Sequence, residues 1–110
     1  QGNYIRPADS KPYLVIGEVK YGKPILDRVI TPKVSIGDAS RCALISMDST
    51  LKSDLTVGPP IDFAVIKKDE IKIASLKCLN MNDPEFSKVC NQWSQGIFKI
   101  FDSFQRFDWE

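Results

Sequence analysis

The stretch Ser53–Ile66, SDLTVGPPIDFAVI, constrains the possible folds of this chain more than any other. Helix-forming residues run up to about Leu55, after which Gly58 can take a left-handed or otherwise strained conformation. Pro59 and Pro60 lack amide donors and forbid the helix from continuing. Beyond them Ile61, Phe63 and Val65 point one way, while Asp62, Ala64 and Ile66 point the other. One face is wholly apolar and the other nearly so, as expected of a strand covered on both sides. A helix must therefore end on one side of this turn and a deeply buried strand begin on the other.

The segments on either side are organised around that junction. Gln1–Pro12 holds Gly2, Pro7, Asp9, Ser10 and Pro12 and is expected to be a loop or extended lead-in. Tyr13–Ile16 is expected to be a short apolar strand ended by Gly17. Pro24 suits the first turn of a short helix with Ile25, Leu26, Val29 and Ile30 on its apolar side, and Thr31-Pro32 stops it. Ser35 then opens a long helix as its N-cap, with Asp38 in the place of the capping-box acid. Ala39, Ala43, Ser46 or Met47, and Thr50 form a stripe of small residues that would let this helix sit close to a sheet.

Ile61–Lys67 and Glu70–Leu76 are expected to pair as a hairpin with a tight link at Lys68-Asp69. Ile71 and Ile73 would alternate with Lys72 and Ala74 along its second strand. Asp83 caps a last helix that begins Pro84-Glu85. In it Phe86, Val89, Cys90, Trp93, Ile97, Ile100, Phe101 and Phe104 recur at intervals of three and four, a wide stripe that something must cover. About three strands and three helices make an α/β (α+β) chain whose sheet has open edges and whose central strand has too little to cover it. That imbalance points to a missing half or an obligate partner.

With 110 residues the chain holds one domain with a modest core. Its net charge of +1 gives no reason to expect nucleic acid or an anionic membrane as partner. No apolar run approaches the roughly 18 residues of a membrane span, and no basic leader with an apolar stretch is visible. Gln1 in place of a methionine suggests a processed product or a fragment. Cys42, Cys78 and Cys90 are odd in number and widely spaced, and histidine is absent, so neither a disulfide framework nor a zinc site is expected. Cys42 and Cys90 fit buried free thiols, and reduced thiols fit the cytoplasm. Without histidine there is no Ser-His or Cys-His pair, no phosphate-binding Gly-rich loop precedes a helix, and no cofactor or metal is implied.

Three stretches carry a family resemblance. Gly17–Val29, GEVKYGKPILDRV, and Ala43–Ile61, ALISMDSTLKSDLTVGPPI, resemble the bacterial proteasome-like family called Anbu, as does the final NQWSQGIFKIFDSFQRFDWE. The resemblance spans nearly all of the chain but only the C-terminal half of such a subunit. It implies half of a four-layer αββα N-terminal-nucleophile hydrolase sandwich, residues 1–110 forming one portion of a single domain. The implied partners are the missing N-terminal half, further copies in a ring or open helical stack, and a peptide substrate.

Proteasome-type subunits use an N-terminal threonine whose α-amine helps move the proton and whose neighbouring lysine lowers the barrier. Both groups belong to the absent half, and Gln1 carries no nucleophile, so this chain alone is expected to be inactive. Asp54 matches the acid that hydrogen-bonds near the threonine amine. Three positions on, Val57 stands where a serine is usual, with Ser53 and Thr56 the nearby hydroxyls. Glu18 replaces the serine of the Gly-Ser-Gly turn beside the nucleophile, and could bond the same amine or simply face water. The implied whole is a cytoplasmic threonine peptidase cleaving peptide or amide bonds. The alternative is a non-catalytic structural subunit, favoured by Val57. An independent small α/β binding module is disfavoured by the apolar surfaces such a chain would expose.

Overall fold

Five elements follow one another in the computed structural model, which describes residues 6–15 and 20–110: α1 (Lys23–Val29), α2 (Ile36–Ser53), β1 (Ile61–Val65), β2 (Ser75–Leu79) and α3 (Pro84–Asp102). The architecture is α+β, three helices and one antiparallel hairpin, which is half of the layered sandwich expected. Of the expected strand Tyr13–Ile16, residues 13–15 take no sheet partner, and residue 16 lies outside the described residues.

The capping chemistry sets the helix starts. Ser35 stands in extended conformation and its Oγ accepts the Asp38 amide at 3.0 Å. Only half of a capping box forms, because the Asp38 carboxylate turns outward to Arg41 at 2.8 Å instead of reaching back. At α3 the Asp83 carboxylate accepts the Phe86 amide at 3.0 Å and Pro84 occupies the first turn, as its fixed φ favours. Glu85 pairs with Lys77 of β2 at 2.9 Å, tying the start of α3 to the hairpin.

α1 lies against α2 through a close backbone approach. Ser46 Oγ donates to the Gly22 carbonyl at 2.8 Å, and Thr50 Oγ1 donates to the Ser46 carbonyl at 3.0 Å. A Cβ on Gly22 would collide with Ser46 Oγ and stand 3.1 Å from the Ser46 carbonyl oxygen, which the helix cannot move. Gly22→Ala should therefore destabilise the chain by about 1–3 kcal/mol, the usual cost of overpacking. Urea unfolding of the two proteins checks this, and an unchanged midpoint would show that α1 is free to lift off α2.

The hairpin differs from expectation in length and register. Ile61 pairs with Leu79 and Val65 with Ser75, so the second strand is Ser75–Leu79 and not Glu70–Leu76. A turn does form at Lys68-Asp69, with the Glu70 amide donating to the Lys67 carbonyl at 3.1 Å and Asp69 at φ 63°. It does not join two paired strands, for the ladder starts only where the Ala74 amide meets the Val65 carbonyl at 2.7 Å. Ile71 is fully exposed, with no layer beneath it among the described residues. Gly58 also departs from expectation: it stays out of the left-handed region, with open space where a Cβ would be, and the Pro59–Pro60 peptide after it is cis.

The core sits between one face of the hairpin, α2 and α3. Leu79, Phe86 and Cys90 are buried in it, with Leu44, Leu51, Ile61 and Phe63 packed around them. β1 alternates half-buried and exposed, so the second face expected to be covered is bare here. The α3 stripe is likewise half used. Phe86 and Cys90 are buried, but Ile97, Ile100, Phe101 and Phe104 are exposed. Phe101 and Phe104 rest on each other at 5.6 Å between centroids, and Phe107 stacks on Trp109 at 5.2 Å.

Candidate functional site

The site begins where α2 ends. Asp54 is the C-cap, its amide still bonded to the Thr50 carbonyl at 2.8 Å, its own carbonyl accepting the Val57 amide at 3.2 Å. A carboxylate here opposes the helix dipole, whose negative pole lies at this end. Thr56 offsets that. Its amide and its hydroxyl both donate to Asp54 Oδ1, at 2.9 and 2.6 Å. The hydroxyl first, then the amide, hold the Asp54 carboxyl below the usual carboxylate range, so it is ionised at neutral pH.

Of the other residues singled out by sequence, Val57 is half-buried and Ser53 exposed on the last turn of α2. Glu18 lies outside the described residues. Val57 forms part of the wall of a cavity of about 570 Å³ bounded by residues 12–15, α1 and α2. Ala39, Ala43, Ser46, Met47 and Thr50, the whole stripe of small residues on α2, face this same space. The stripe expected to lie on a sheet thus opens onto a cavity within this chain. At its rim Tyr13 donates its hydroxyl to Asp27, which also pairs with Lys23 at 2.8 Å.

Asp48 is a group that sequence reasoning passed over. It is 2% exposed at the α2–α3 contact, 3.2 Å from Lys52 Nζ, which in turn donates to Ser94 Oγ at 3.1 Å. Burial and the Asp48 carboxylate push the Cys90 thiol up to about 11, so it stays protonated and unreactive. Asp48 lies four residues after Leu44 and three before Leu51, both on the core side, with Lys52 one turn on, a placement that the sequence alone does not mark. Cys42 is also a buried thiol, raised by burial, as expected of both helical cysteines. Among the described residues no cluster of acids and cysteines is placed to hold a metal, and no helix is long and apolar enough to cross a membrane.

No family model matches the sequence, nor does any curated protein. Solved structures do. The Gly-1 mutant of Anbu from Hyphomicrobium sp. strain MC1 superposes with a TM-score of 0.89 at 40% identity, covering 96% of this chain and 46% of that one. The chain belongs to the Anbu family. Anbu from Yersinia bercovieri, described as an ancestral beta-subunit, gives 0.90 at 38% identity over 96% of this chain and 45% of its own. Anbu from Pseudomonas aeruginosa, solved as a helical assembly of the complex, gives 0.88 at 38% over 96% and 44%. The chain thus spans less than half the length of the Anbu chains it matches. The family is one of bacterial proteasome-like subunits, as the resemblance implied.

Proposed function

We propose that this chain is the C-terminal part of an Anbu-type subunit that cleaves peptide or other amide bonds in the bacterial cytoplasm with an N-terminal threonine. The nucleophile and its lysine are supplied by the part not contained in residues 1–110. The hydroxyl adds to the scissile carbonyl while the threonine α-amine takes its proton and then gives it to the departing amine. Water clears the resulting ester by the same route in reverse. Asp54 supports this by holding the α-amine in place and favouring its charged form as the proton arrives. The subunit assembles with its own other half and with further copies in a ring or helical stack, the form in which the Pseudomonas relative was solved.

The observation that carries the reading is the Asp54 carboxylate itself. It is ionised, clamped among the described residues on Oδ1, and placed against the helix dipole, three residues before the Val57 that forms part of the cavity wall. Asp54→Asn in the complete subunit should lower kcat by about a hundredfold, the low end for groups that help move a proton, with assembly unchanged. Peptide hydrolysis and size-exclusion chromatography of both proteins check it. Wild-type turnover in the variant would remove Asp54 from the site.

A second reading has one observation in its favour. Val57 turns into the apolar cavity wall where proteasome-type subunits usually carry a serine, which suits a structural subunit that keeps the fold for assembly alone. The first residue of the mature subunit separates the two: threonine, serine or cysteine supports the peptidase, and any other residue supports the scaffold.

A further inference from the structure

We infer that Thr56 is the positioning residue of this site, its hydroxyl and amide together fixing the Asp54 carboxylate. The inference rests on the reading of Asp54 given above. Three observations lead to it. Thr56 places both of its donors on the same carboxylate oxygen, the amide at 2.9 Å and Oγ1 at 2.6 Å. A carboxylate offers about four acceptor positions over two oxygens, so the Thr56 clamp on Oδ1 fixes the plane of the group and, among the described residues, leaves Oδ2 to an incoming ammonium. Val57 cannot share the work, because its side chain has no donor and forms part of the apolar cavity wall.

The backbone makes the clamp stiff. The Asp54 amide is held by the Thr50 carbonyl at 2.8 Å and the Asp54 carbonyl by the Val57 amide at 3.2 Å. With main chain and side chain both fixed, Oδ2 has little freedom left, which is what a group that must meet a small ammonium needs. A turn that served only to end α2 would work as well with asparagine, whose side-chain oxygen accepts the same two bonds. Charge and clamp are therefore separable by mutation.

Thr56→Val in the complete subunit keeps the β-branched shape and the amide bond but removes the hydroxyl. Loss of that one bond should lower kcat about tenfold while KM moves by less than about twofold. Thr56→Ser should restore most of the rate. Nuclear magnetic resonance titration of the Asp54 carboxyl should show its midpoint rising toward the ordinary carboxylate value in the valine variant and returning in the serine variant. Wild-type kcat in Thr56→Val, with Asp54→Asn still impaired, would overturn the inference and leave the role of Asp54 standing. Wild-type kcat in Asp54→Asn would overturn both.

Discussion

Phe86→Ala should destabilise the chain by about 3–5 kcal/mol, enough to unfold a small core outright. The ring is 1% exposed and meets Leu79 and Cys90, with Leu44, Leu51, Ile61 and Phe63 packed around them. It is the joint between hairpin and helices, since α3 reaches the sheet through this ring and α2 is drawn in behind it. Removing it leaves a cavity that rigid backbone on three sides cannot collapse to fill. The Asp83 cap bonds the Phe86 amide and not its ring, so α3 would still start at the same residue. Guanidinium unfolding followed by far-ultraviolet circular dichroism would register the change. A loss below about 1 kcal/mol would mean that the three elements hold together elsewhere.

Ending the chain after Asn91 should abolish cooperative folding, whereas ending it after Gly96 should not. The shorter product keeps only about two turns of α3, far below the length at which a helix holds itself together. It loses half-buried Trp93 and the Ser94 hydroxyl that receives Lys52, and it leaves Cys90 on a fraying end. Asp48 then faces water that its place between the helices had excluded. The longer product loses Ile97, Ile100, Phe101 and Phe104, all of which are already exposed in this chain. Thermal unfolding of the two truncations decides it. A cooperative transition in the shorter one would show that α2 and the hairpin need no third element.

The helices were legible from sequence because their signals are local. Ser35, Asp83 and Pro84 act within one turn of themselves, through bonds and dihedrals that involve no distant residue. The second strand was not legible for the opposite reason. Ile71 and Ile73 alternate as a strand should, but alternation earns pairing only where a face waits to be covered. Leu79 has such a face, against Phe86 and Cys90, and pulls the register to Ser75–Leu79. Asp54 was legible as an acid out of place at a helix end and through its resemblance. The clamp by Thr56 depends on the turn that follows α2, which composition does not reveal. Asp48 was missed because a lone acid on a helix is usually solvated, and only the packing of α3 makes it otherwise.

The core is sealed by the element that follows all the others in the chain. α1 rests on α2, and β1 on β2, each through neighbours in sequence, while Phe86 and Cys90 close the centre from α3. Leu44, Leu51, Ile61 and Phe63 are therefore sealed by contacts that reach across the sequence and not by their own neighbours alone. Within the described residues α3 is the clasp that joins two locally built pairs along one apolar seam.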